Sequence, residues 1–204
     1  LSQALNILSR QENVTLFITL LSAFKILLYR YSGQEDIVVG TPIAGRNQVE
    51  LENLIGFFIN TQVLRTDLSG HPSFRELLDR VRQVALDTYT HQDFPFEKLV
   101  EELQPERNLS HTPIFQVWFN MINLAETKYE LAGLAIERLS LLADRPSPFD
   151  LTLYVQEKDQ AIQLTLVYNV KLFDAPRMVE MLNQFHQLLS QIIEEPYRRI
   201  TQFS

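Results

Sequence analysis

Residues 14–29 read VTLFITLLSAFKILLY. A helix built from this run is apolar on nearly every side, so it has to lie inside the molecule. A bilayer span needs about 20 predominantly apolar residues; this run is shorter and carries Thr15, Thr19, Ser22 and Lys25. The rest of the chain must therefore wrap it. A short amphipathic helix over residues 1–11 precedes it, and Gly33 fits the residue that closes such a helix. DIVVG (36–40) then has the β-branched character of a strand buried on both faces, and Pro42 and Gly45 in TPIAGRN mark a loop.

The wrapping elements alternate in type. IGFFINTQVLR (55–65) reads as a buried strand with Asn60, Thr61 and Gln62 in its middle, where an unpaired amide costs roughly 2–7 kcal/mol. SFRELLDRVRQVALDTY is a helix opened by a Ser73/Glu76 capping box. HQDFPFEKLVEEL opens a shorter helix, with Asp93 near its start and Pro95 in its first turn. In HTPIFQVWFNMI, strand alternation sends Phe115, Val117, Phe119 and Met121 one way and Gln116, Trp118 and Asn120 the other. Residues 124–147 form a weakly patterned connector. FDLTLYV and QAIQLTLVYNV make a hairpin around EKD. Asp174 caps a last helix with Pro176 in its first turn and His186 beside its apolar stripe. Residues 195–204 are expected to begin a linker. The pattern predicts an α/β domain with a mixed sheet flanked by helices.

Chemistry is sparse. Net charge is −7, which disfavours nucleic acid and anionic membrane as partners. With no cysteine, no disulfide, thiolate metal site or cysteine nucleophile is available. The four histidines have no metal-ligand spacing, and no metal is expected. His91 and Asp93 form either a polar pair or a helix-entry turn. If Asn60, Gln62, Gln116 and Asn120 share one face, that face suits a tunnel for a neutral, hydrogen-bonding substrate; an interior hydrogen-bond network is the alternative.

Three ordered motifs resemble the C-terminal half of the condensation domain of nonribosomal peptide synthetases. IGFFINTQVLR is similar to IGxFVNTxxxR and brings Gly56, Asn60, Thr61 and Arg65. HQDFPFEKLV (91–100) is similar to HQDxPFE and brings His91, Gln92, Asp93, Pro95, Phe96 and Glu97. RNLSHTPIFQVWFN (107–120) is similar to RDxSRxPLFQVxF, with Asn108 in place of the acidic residue and His111 in place of the second arginine. Residues 14–46 and FDLTLYV, with Asp150, match in order and spacing.

The resemblance implies one lobe of a chloramphenicol acetyltransferase-like, two-lobed fold with a tunnel between the lobes. Donor and acceptor carrier proteins would present thioesters on 4′-phosphopantetheine arms, and an amine would attack a thioester to make a peptide bond in cytoplasmic secondary-metabolite and antibiotic biosynthesis. An adenylation domain would adjoin. The family's HHxxxDG motif lies in the N-terminal lobe, and this chain has no HH pair. It is therefore expected to be a piece of a longer protein that carries no catalytic residue and is inactive alone. The resemblance assigns Arg46 to the aspartate of the missing motif, residues 41–57 to the tunnel floor, and the segment after Asn120 to a crossover between lobes. Asn60, Gln62, Gln116, Trp118 and Asn120 would line or brace the tunnel. Epimerisation and heterocyclisation relatives share this fold, and a non-catalytic carrier-protein docking lobe is a third reading.

Overall fold

A computed structural model describes residues 1–46, 48–106, 112–122, 134, 148–158 and 160–203. Asn108, His111 and the expected crossover after Asn120 lie outside the described residues, apart from Met121, Ile122 and Leu134. The elements run α1 (Ser2–Gln11), α2 (Leu16–Ser32), β1 (Asp36–Ile43), a short α3 (Val49–Glu52), β2 (Asn60–Asp67), α4 (Phe74–Thr90), α5 (Phe96–Leu103), β3 (Val117–Ile122), β4 (Leu151–Lys158), β5 (Ala161–Tyr168), α6 (Ala175–Glu194) and a closing 3₁₀ turn, Ile200–Gln202.

Local chemistry sets the helix ends. Thr15 accepts the Ile18 N–H at the start of α2, and Gly33 ends it at φ 70°. Ser73 and Glu76 form the full capping box of α4, Asp174 accepts the Arg177 N–H of α6, and each such cap is worth about 1 kcal/mol. Pro95 lies just outside α5, as its N-cap, and not in the first turn.

The five strands form one sheet in the order β2-β1-β3-β4-β5. β1 pairs antiparallel with β2 and parallel with β3; β3 and β4 are parallel; β4 and β5 form the expected antiparallel hairpin. The sheet is mixed, as the sequence predicts. α2 packs against α1, α4, α6 and β1. The apolar sides of α1, α2, α4 and α6 form one core with Ile37, Val39, Leu64, Phe119, Leu151, Leu153 and Val155, so these helices cover one face of the sheet. No single described helix is long and apolar enough to cross a membrane.

Lys25 stands in that core with 0% exposure. Its Nζ donates to the Ile37 carbonyl (3.2 Å), the Leu64 carbonyl (2.6 Å) and Thr66 Oγ1 (3.0 Å). The amine thus ties α2 to both strands of the β1–β2 hairpin. Burial pushes its pKa down to about 7, against the opposing pull of Asp36.

Four further expectations change. Residues 55–59 are not a buried strand: β2 starts at Asn60, while Ile55 and Phe57 are 104% and 87% exposed. Pro42 belongs to β1, opposite Thr61 and two residues past the Gly40–Trp118 pairing, where the missing donor costs little. Phe115 precedes β3 and does not share the side of Phe119: Ile114 takes φ 73°, which breaks the alternation and turns the Phe115 ring towards Trp118. The stretch 195–203 is pinned to the body. Ser73 bridges Arg199, the Ile200 N–H donates to Pro72 (2.9 Å), and Ile200 and Phe203 are buried.

Candidate functional site: the aromatic face and its rim

The sheet's other face carries an aromatic ladder. Trp118 pairs in register with Gly40 and with Thr152. Its ring stacks on Phe149 at 4.6 Å and 8°, Phe115 lies 5.8 Å from it, and Phe96 lies 5.7 Å from Phe115. A Cβ on Gly40 would come within 2.3 Å of the Phe115 ring. Glycine is therefore what lets that ring lie on β1. Asn120 is half-buried on this face, opposite Tyr154. Gln116 is exposed; its side chain donates to the Thr112 carbonyl (3.2 Å), and its own carbonyl accepts the Asp150 N–H (3.0 Å). The Asp150 carbonyl in turn accepts the Asn169 N–H (3.0 Å).

The expected single amide face is divided. Asn60 lies opposite Ile43 and Gln62 opposite Thr41, in the rows of the sheet that continue to Leu64 and the core. Trp118 and Asn120 belong to the opposite set, because partners in register share a face and neighbours along a strand do not. Asn60 and Gln62 instead hold the turn that follows α4. Asn60 Nδ2 donates to the carbonyls of Gln92 (2.9 Å) and Phe94 (2.8 Å); its Oδ1 accepts the N–H of Phe96 (3.2 Å) and of Thr61 (2.8 Å). Gln62 Nε2 adds a second bond to the Gln92 carbonyl (3.1 Å). The two motifs are physically one unit. His91 closes α4, with Nδ1 2.8 Å from the Asp87 carbonyl oxygen. Asp93 and Pro95 are exposed, and exposed Glu97 lies in the first turn of α5, where a negative charge suits the helix N-terminus.

A self-braced loop projects from the β1–β2 hairpin. Arg46 Nη1 donates to the Leu51 carbonyl, Nη2 donates to the Leu54 carbonyl at 2.8 Å, and the guanidinium lies 4.3 Å from the Phe58 ring centre. Gly45 has φ 64°, and a Cβ there would sit 1.9 Å from the Phe58 carbonyl oxygen. Beyond this brace, Val49, Leu54, Ile55, Phe57 and Ile59 are exposed, with Gly56 between two of them. Arg65 is separate from the site. It makes a two-pronged surface pair with Asp36 (2.8–3.0 Å), which raises its pKa, and solvent screens a pair this exposed.

Sequence reasoning does not find Gly40, Phe149 or the carbonyls of Gln92 and Phe94. Gly40 alone has a signal, as a glycine inside a β-branched strand. Among the described residues no cluster of histidine, aspartate or glutamate is fit to hold a metal.

A family model described as Condensation domain matches residues 1–204. A linear gramicidin synthase of Brevibacillus parabrevis has a polypeptide that is 52% identical over 197 residues, which cover 96% of this chain and 2% of that protein. Tyrocidine synthase 3 of the same organism is 42% identical over 97% of this chain and 3% of its own length. Among solved structures, the X-domain from teicoplanin biosynthesis superposes with a TM-score of 0.89 at 28% identity, over 98% of this chain and 46% of that one. A four-domain nonribosomal peptide synthetase bound to AMP and glycine gives 0.89 at 25% identity, over 98% of this chain and 16% of that one. The chain thus spans a small fraction of these curated relatives and less than half of these solved chains.

Proposed function

This chain belongs to the condensation-domain family, and from that premise we propose that it is one lobe of a cytoplasmic domain that forms amide bonds between carrier-tethered groups in nonribosomal peptide synthesis. The observation that carries the proposal is the asymmetry of the sheet. Four helices cover one face, while the other bears Trp118 and Asn120 and stands beside a braced apolar loop. An apolar rim as exposed as residues 54–59 marks a surface meant for a partner. The N-terminal lobe is that partner, and the aromatic face is one wall of the tunnel they share.

The reaction needs little from this wall except geometry. The amine of the acceptor attacks the thioester carbon of the donor; the C–N bond forms, the C–S bond breaks, the amine gives up a proton and the departing pantetheine thiolate takes one. Positioning two tethered reactants is worth roughly 7–11 kcal/mol. Trp118 and Phe149 give a rigid wall that excludes water. The Asn120 amide presents a neutral donor and acceptor to the amides of a 4′-phosphopantetheine arm or to the nucleophilic amine. Carrier proteins and an adjoining adenylation domain are the further partners of this reading. In the complete domain, Asn120→Ala lowers the condensation rate about 10-fold or more, read by mass of the tethered product; an unchanged rate would remove Asn120 from the wall.

A docking lobe without chemistry is the second reading, and one comparison favours it. A complex of the X-domain and OxyB from teicoplanin biosynthesis superposes with a TM-score of 0.87 at 28% identity. Carrier-protein binding with no turnover, when the N-terminal lobe is supplied, would select it.

A further inference from the structure

α5 is held in an unusual way. None of its residues is fully buried, so the core does not fix its seat. Its first residue, Phe96, is fixed instead from both ends. The backbone N–H is held by Asn60 Oδ1, and the ring rests 5.7 Å from Phe115. Phe115 stands against Gly40 and lies 5.8 Å from Trp118. A continuous line of contacts therefore runs from one carboxamide on the core side of β2 to the tryptophan on the opposite face. The Asn60 amide makes four hydrogen bonds along that line, three of them to the 92–96 turn, and so has no hydrogen-bonding capacity left for a substrate.

We propose that Asn60 is a positioning residue, which with Gln62 clamps the 92–96 turn and thereby seats the Phe96–Phe115–Trp118–Phe149 ladder on the reactive face. This rests on the functional reading above for its catalytic consequence, but not for its structural one. Residues 60 and 62 are then the template for the backbone of the 92–96 turn. A displaced turn lets Phe96 and Phe115 drift, and the wall beside Asn120 softens.

Trp118 is the only tryptophan, so its fluorescence reports the ladder directly in this chain. Asn60→Asp keeps the acceptor for Phe96 and Thr61 but turns a carboxylate oxygen towards two carbonyls; Asn60→Ala removes both functions. Gln62→Met gives up one bond at similar volume and serves if either Asn60 variant fails to fold. Asp174→Ala, at the distant α6 cap, controls for general loss of stability. Both Asn60 variants should shift Trp118 emission to the red and raise acrylamide quenching on the order of two-fold. Gln62→Met should move both in the same direction by less, and Asp174→Ala should move neither.

In the complete domain, Asn60→Asp should lower kcat roughly 10- to 100-fold with the KM for the carrier proteins unchanged. Wild-type emission and quenching in the Asn60 variants, or a KM effect with kcat intact, would overturn the proposal. A wild-type complete domain that forms no amide bond would overturn the functional reading and not the clamp, whose fluorescence test runs on this chain alone.

Discussion

Lys25 couples the most buried helix to the protonation state of the solvent. Its ammonium has three acceptors around it and 0% exposure. When neutral, the amine donates to the two carbonyls and accepts from the Thr66 hydroxyl, so both states are satisfied. The charged groups near it are few. Asp36 on β1 raises its pKa and is itself held by Arg65 of β2, while α4 and α6 turn apolar residues inward. The folded pKa, about 7, lies below the ordinary 10.5. Between these values the unfolded chain holds the extra proton, so stability rises as pH rises. Below pH 7 both states are protonated and this dependence vanishes. Urea unfolding at pH 7 and pH 9.5 should show a gain on the order of 3 kcal/mol at the higher pH, and Lys25→Met should abolish that gain. The same rise in the variant would show that Lys25 is not its source. A site of this kind is half-legible in sequence: a lysine inside an apolar run announces burial, but its acceptors are backbone atoms and carry no letter.

The same distinction governs the elements. Caps are local, so Ser73 with Glu76, Asp174 and Gly33 fix the helix ends from a few letters. The β4–β5 hairpin and the apolar stripe of α6 are equally plain. Residues 55–59 mislead because hydropathy alone does not separate a buried apolar run from one displayed on the surface, as Ile55 and Phe57 are. Asn60 and Gln62 stand out as anomalies, yet their partners are carbonyls some 30 residues on, and no side-chain pattern points there. The expected shared amide face breaks up because the register of β2 against β1 decides which side Asn60 takes, and one residue of register reverses every side chain. The tail also reads as the start of a linker, although Ile200 at 0% exposure anchors it. Ile200→Ala should cost about 2–5 kcal/mol in urea unfolding. A loss below about 0.5 kcal/mol would be the surface-like result and would mean that the tail is not part of the folded body.

At the scale of the whole molecule, one asymmetry dominates. A mixed sheet is covered on one face, bears an aromatic wall on the other, and is flanked by a loop that displays Ile55 and Phe57 on an arginine brace. In the proposed reading, a second lobe that covers that face completes the chemistry. The most direct measurement mixes loaded donor and acceptor carrier proteins with this chain alone, with a matching N-terminal lobe alone, and with both, and reads the tethered product by mass. A fourth sample replaces this chain by its Ile55→Ser/Phe57→Ser variant. A shared tunnel predicts product from the combined lobes only, and a marked loss of it with the variant, whose apolar rim is broken. Product from either lobe alone, or no product from the two together, would contradict it.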